Sequence, residues 1–138
     1  MKKGRKGPDL SQGEWEILKV VWEKQPCTAP DVQEALAERM GWSYSTVRTM
    51  MDRLVKKWVL RAEKVRNLTL FRASLGKEQA RKREFLQFLK RAFDGALAPM
   101  VELLLDHPDL TREELERIER LVERKKMKKK KDGGNPAP

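Results

Sequence analysis

The 138 residues include one cysteine, Cys27, and one histidine, His107. One cysteine excludes an internal disulfide, and one of each is too few for a Cys/His metal cluster. Cys27 therefore reads as a small buried hydrophobe. The same shortage excludes a Ser/His/Asp set or a Cys/His pair with an orienting partner, and no phosphate-cradling glycine loop is present. Neither an enzyme nor a metal or cofactor site is expected. Long hydrophobic runs are missing too. The ~18 or more consecutive apolar residues that span a bilayer do not occur, and the basic residues 1–8 lead into no apolar signal segment. The expectation is a cytoplasmic protein with no membrane partner. Its length suits one compact core, or a small domain with a helical appendage, but not two full-sized domains.

What is abundant is positive charge, a formal +10. Its placement says more than its size. Residues 1–8 contribute +4 and residues 124–132 contribute +6, whereas residues 9–123 are neutral. That neutral body is polarised: residues 43–73 hold eight basic and two acidic side chains, and residues 9–42 hold three and seven. Residues 74–93 are again basic and 94–123 acidic. A polyanionic partner that concentrates its contacts on 43–73 is implied.

A first helix is expected to start at Ser11, whose hydroxyl caps the first turn while Glu14 reaches back. Trp15, Leu18, Val21 and Trp22 form its apolar stripe. A second helix is capped by Thr28, carries Pro30 and Asp31 in its first turn, turns Val32, Ala35, Leu36 and Met40 inward, and stops at Gly41. A third, over about 43–57, has Val47, Met50, Met51, Leu54 and Val55 at core spacing. Ser45, Arg48, Thr49, Asp52, Arg53 and Lys56 line its opposite, polar side. After Trp58 the period changes to two, and 59–65 and 68–73 read as a hairpin around Arg66-Asn67.

The fold expected is mainly α: an N-terminal winged helix-turn-helix over 9–75, made of three helices and a β-hairpin wing, followed by a helical dimerisation region over 76–124. Residues 1–8 and the Lys-rich 125–138 are expected to be disordered tails. The dimerisation region reads as three helices broken at Gly95 and at His107-Pro108, the last opened by the box from Thr111 to Glu114. Its apolar residues are Phe85, Phe88, Leu89, Phe93, Leu97, Met100, Val101, Leu104, Leu115, Ile118, Leu121 and Val122. So short a region has too little chain to cover them, and a homodimer is expected, with completion of the monomer's own core as the alternative.

A helix in the major groove contacts base edges near its N-terminus and leaves phosphates to basic residues elsewhere. Tyr44, Ser45, Thr46, Arg48 and Thr49 are the candidates for base or near-base contacts with double-stranded DNA. Arg48 leads, because a guanidinium grips a guanine edge at two points. Arg53, Lys56, Lys57, Lys64, Arg66 and Asn67 are candidates for phosphate or wing contacts, and Thr28 for a phosphate at its helix N-terminus. Asp52 lies four residues from both Arg48 and Lys56; it reads as their ion-pair partner, with acceptance from a cytosine amino group as the alternative. Trp15, Trp22, Trp42 and Trp58 read as packing residues, with base stacking as the alternative. A protein-interaction module with only nonspecific DNA affinity is the competing function.

Five stretches, "LSQGEWEILKVVWE", "TAPDVQEALAE", "WSYSTVRTMMDRLVKK", "FLKRAFDGALAPMVELLLD" and "LTREELERIERLVE", resemble in order and spacing the penicillinase repressor family of bacterial winged-helix repressors, the BlaI/MecI/CopY group. The resemblance covers about 10–123. It implies a nucleoid-associated homodimer with interlocked C-terminal helices, bound to an inverted repeat of TACA/TGTA-like half-sites and blocking transcription, with an upstream sensor protease as a further partner. Members that answer β-lactams are cleaved at an Asn-Phe bond. This chain has none and places Leu103-Leu104 there, so that step does not carry over. The cysteine pairs of copper-responsive members are also missing. Where relatives usually place a glycine after the reading helix, this chain has Trp58. Either the turn into the wing differs, or Trp58 accepts strain to fill a hydrophobic gap. Ser45 and Asp52 stand where lysine and asparagine are usual in the family.

Overall fold

The computed structural model describes residues 9–132. The basic 1–8 segment and residues 133–138 of the expected tail lie outside the described residues. The chain divides into two compact units between Gln87 and Phe88.

The first unit begins with α1 (Gln12–Lys24). Its capping box is closed both ways: Glu14 N donates to Ser11 Oγ at 3.1 Å, and Ser11 N donates to Glu14 Oε1 at 2.9 Å. Ile17, Leu18, Val20 and Val21 are buried. Trp15 and Trp22 are half-buried and meet edge to face at 5.8 Å. Trp22 Nε1 donates to Leu75 O at 3.0 Å, so the polar end of this packed indole is satisfied. Helix α2 (Ala29–Met40) buries Ala29, Val32 and Leu36, and Gly41 ends it in the left-handed conformation (φ 63). Ala35, expected to face inward, is exposed. Helix α3 (Tyr44–Lys56) buries Val47, Met51 and Leu54. A Cβ on Gly13 would stand 2.9 Å from Met50 Cε and 3.2 Å from Trp42 Cη2, so any larger residue at position 13 would have to displace both.

Strands β1 (Leu60–Val65) and β2 (Leu68–Ala73) pair antiparallel, with Val65 opposite Leu68. Arg66 takes φ 60, the positive value required at the first central position of a two-residue hairpin turn. The core-facing side of the hairpin carries Leu60 and Phe71, both buried. Cys27 adds a short third partner: its N donates to Phe71 O at 3.2 Å, and Phe71 N donates to Cys27 O at 2.7 Å. Cys27 is buried, as expected, and burial pushes its thiol pKa up, away from reactivity.

The end of α3 is a Schellman motif. Val59 N donates to Leu54 O at 2.9 Å and Trp58 N to Val55 O at 3.0 Å, with Leu54 and Val59 both buried beneath. Trp58 occupies the left-handed position at φ 67, and its side chain is 68% exposed. The turn into the wing is therefore the ordinary left-handed cap and not a different one; Trp58 accepts the strain, but at that exposure its indole fills no hydrophobic gap. Left-handed backbone costs a residue with a Cβ about 1–2 kcal/mol, against roughly 0.5–1 kcal/mol of extra chain entropy for glycine. Trp58→Gly should therefore stabilise the first unit by about 0.5–1 kcal/mol, read as a higher urea midpoint at unchanged slope. A lower midpoint would show that the exposed indole makes contacts worth more than the strain.

Helix α4 (Lys77–Phe93) belongs to the first unit through Gln87. Its Ala80 is buried in the same core as Leu75, so the first unit runs past the expected boundary at 75. The reason is that a new helix does not by itself start a new core; its first turns complete the old one. In the second unit α4 ends at Asp94 (φ 50) and Gly95 (φ 84), and is followed by α5 (Leu97–Leu105) and α6 (Arg112–Asp132). Helix α6 opens with the expected box: Glu114 N donates to Thr111 Oγ1 at 3.0 Å and Thr111 N to Glu114 Oε1 at 3.3 Å. It also runs through the Lys-rich segment expected to be disordered from 125. Lysine is a strong helix former, and positive charge at a helix C-terminus meets the negative end of the macrodipole. Among the described residues of this unit Leu89 alone is a buried hydrophobe.

Candidate nucleic-acid interface

Helix α3 places its polar side by its cap. Ser43 Oγ accepts from Thr46 N at 3.2 Å and also bonds Thr46 Oγ1 at 3.1 Å, with Ser45 Oγ 3.2 Å away. Burial of Val47, Met51 and Leu54 then turns Tyr44, Ser45, Thr46, Thr49, Asp52, Arg53 and Lys56 to solvent. All five base-contact candidates lie together over the first turns of α3, with Arg48 half-buried and the other four exposed.

Arg48 is held rather than free. Its Nε donates to Asp52 Oδ1 at 3.2 Å, its Nη1 donates to Tyr44 Oη at 3.2 Å, and its Cζ stands 5.6 Å from the centre of the Phe71 ring. The hydrogen bonds to Tyr44 and then Asp52 raise its pKa further, so it is always a cation. Asp52 takes the ion-pair role expected of it, with Arg48; among the described residues Lys56 is not its partner. At 37% and 54% side-chain exposure the pair contributes about 0.3–0.5 kcal/mol at most, a tether that a better acceptor can replace.

The phosphate and wing candidates divide. Arg53 and Lys56 are exposed on α3, and Lys64, Arg66 and Asn67 are exposed at the hairpin tip. Lys57 is not available in this way. Its Nζ donates to Glu14 Oε1 and Oε2 at 2.8 and 2.9 Å and to Asp9 O at 3.1 Å, and the Glu14 side chain is only 4% exposed. The residue read as a phosphate ligand is a bolt between the end of α3 and the start of α1. Thr28 is likewise committed to its own helix. Asp31 N donates to Thr28 Oγ1 at 3.2 Å, and Thr28 N donates to Asp31 Oδ2 at 2.9 Å. Those bonds, the backbone one first, hold the Asp31 carboxyl below its usual pKa, so the helix end expected to take a phosphate already carries an anion.

Two wing cations escaped sequence reading. Arg61 and Arg72 face each other across the strands. Directly opposed like charges are unfavourable and are eased by a neighbouring anion; Glu63 lies on the same side of the hairpin, two residues from Arg61. The strand period of two was the available signal, since it puts both on the side away from Leu60 and Phe71.

The profile of the family described as penicillinase repressor matches residues 10–131. A penicillinase repressor of Bacillus licheniformis is 29% identical over 126 residues, 91% of this chain and 98% of the relative. The methicillin resistance regulatory protein MecI of Staphylococcus aureus is 22% identical over 117 residues, 85% and 95% of the two chains. The solution structure of Bacillus licheniformis BlaI, a monomeric form in complex with the blaP half-operator, aligns at a TM-score of 0.47 and 28% identity over 52% of this chain and 88% of its own. With the profile spanning most of its length, the chain belongs to the penicillinase repressor family.

Proposed function

We propose that this chain is a homodimeric, sequence-specific transcriptional repressor, acting in the cytoplasm at the nucleoid, that sets α3 into the major groove of an inverted-repeat operator with TACA/TGTA-like half-sites. The observation that carries this reading is the polar side of α3. Five hydrogen-bonding side chains gather at the helix's N-terminal end, and the Arg48 guanidinium is aimed by Tyr44 and Asp52. Among the described residues Arg48 Nη2 bonds nothing, which suits it to a guanine edge. Arg53 and Lys56 flank that edge, and Lys64, Arg66 and Asn67 at the hairpin tip reach toward the neighbouring backbone. The Bacillus licheniformis relative, matched over 98% of its length, is named a penicillinase repressor, which supports the same role.

The dimer is supported by the second unit. Phe88, Leu97, Val101, Leu104, Leu121 and Val122 are exposed, and Leu104, Leu110, Ile118 and Leu121 line an open groove of about 600 Å³. So much apolar surface on so small a unit calls for a second copy. Selection of bound duplexes from a random pool should enrich an inverted repeat with its halves one helical turn, or a multiple, apart. Failure to enrich any inverted repeat sinks the proposal.

A further inference from the structure

We propose that residues 124–131, the final turns of α6, form a second DNA site that grips duplex phosphates without reading bases. The inference rests on the reading of the chain as a duplex-DNA binder and adds a site in the second unit. Seven of these eight residues are basic, Met127 being the exception, and all eight are exposed. As helix they rise about 1.5 Å per residue, so the segment spans roughly 12 Å and carries about one positive charge per 1.7 Å. Duplex DNA carries about one negative charge per 1.7 Å of axis. A disordered lysine tail would have no such fixed spacing.

The charges are also grouped. Lys125, Lys126, Lys129 and Lys130 surround one shallow depression over Val122, so four ammonium groups share a side of the helix. Among the described residues their one salt bridge is Lys126 Nζ to Glu123 Oε2 at 3.9 Å, with both side chains 71% exposed, and a phosphate displaces so weak a partner at little cost. Lysines act as point charges without the planar fork that recognises a base edge, so the site holds backbone. The first half of α6, with Glu113, Glu114, Glu116 and Glu119, repels DNA and confines contact to the end. A membrane surface fits less well, because an interfacial helix needs an apolar side and Met127 alone does not make one.

The test compares the full chain with a variant carrying Lys125→Gln, Lys126→Gln, Lys129→Gln and Lys130→Gln, and with the same four changed to arginine. Glutamine keeps helix propensity at these exposed positions, which circular dichroism checks. On a scrambled duplex, the slope of log K against log salt should shrink in the glutamine variant by up to about 3.6 per chain, ~0.9 for each phosphate no longer neutralised. The arginine variant should keep the parent slope, and preference for the selected duplex over the scrambled one should be unchanged in all three proteins. An equal slope in parent and glutamine variant overturns the inference. So does loss of binding to equimolar phosphatidylserine–phosphatidylcholine vesicles with the DNA slope intact, which assigns the segment to a membrane. If the parent prefers the selected duplex, the repressor reading stands whatever the slopes show. If it has no preference, that reading fails while the scrambled-duplex slopes still decide the helix.

Discussion

Replacing Lys57 by methionine should destabilise the first unit by about 3 kcal/mol, the low end of what breaking a buried ion pair costs. The Glu14 carboxylate would be left 4% exposed with the Ser11 N–H as its remaining hydrogen-bond donor among the described residues. The low end applies because Lys57 is itself 29% exposed and loses less hydration than a fully buried cation. For a domain of this size such a change lowers the melting midpoint by roughly 12–24 °C. Adding Glu14→Gln should restore much of it, since the neutral amide can still accept from Ser11 N and no longer needs a cation. Thermal unfolding of the single and double variants checks both steps. If Lys57 instead served DNA phosphates, the variant would melt like the parent and bind DNA more weakly.

Leu104→Asp with Leu121→Asp should convert a dimer into a monomer. Both side chains line the same groove in the second unit and are exposed in the single chain, at 47% and 48%. The substitutions therefore leave the first unit's melting within about 0.5 kcal/mol of the parent, as surface changes do. At a subunit interface each aspartate would be an unpaired buried charge. Without the partner, the second half-site is no longer bound intramolecularly, and affinity for the selected duplex should fall on the order of 100-fold or more. Sedimentation and titration of the duplex check the two effects. A dimer that survives both aspartates would move the interface elsewhere.

Features written locally were legible in the sequence. The boxes at Ser11/Glu14 and Thr111/Glu114, the stop at Gly41, and the change of period after Trp58 each lie within a few residues, and each stands where expected. The same holds for the polar side of α3, since helical spacing alone separates Arg48 from Val47. What depended on packing was not legible. Lys56 and Lys57 are the same residue type at one helix end. Only the approach of α1 to α3 buries Glu14 and takes Lys57 out of solvent while Lys56 stays in it. The Cys27–Phe71 bridge is one residue long and so has no period to read. Trp58 looked apolar enough to be buried, but its backbone is set by the Schellman motif, which points the side chain outward. The composition of the lysines after 124 suggests a tail, but their helix propensity is high and an established helix leads into them.

Whether α3 reads bases through Arg48 is decided by titrating the parent and Arg48→Gln against the selected duplex and a scrambled one. A bidentate arginine–guanine contact provides about 1–3 kcal/mol of discrimination. The selected-to-scrambled affinity ratio should therefore fall by roughly 5- to 150-fold in Arg48→Gln, with scrambled-duplex binding weakened only by the removal of one charge. An unchanged ratio would contradict base reading by this helix.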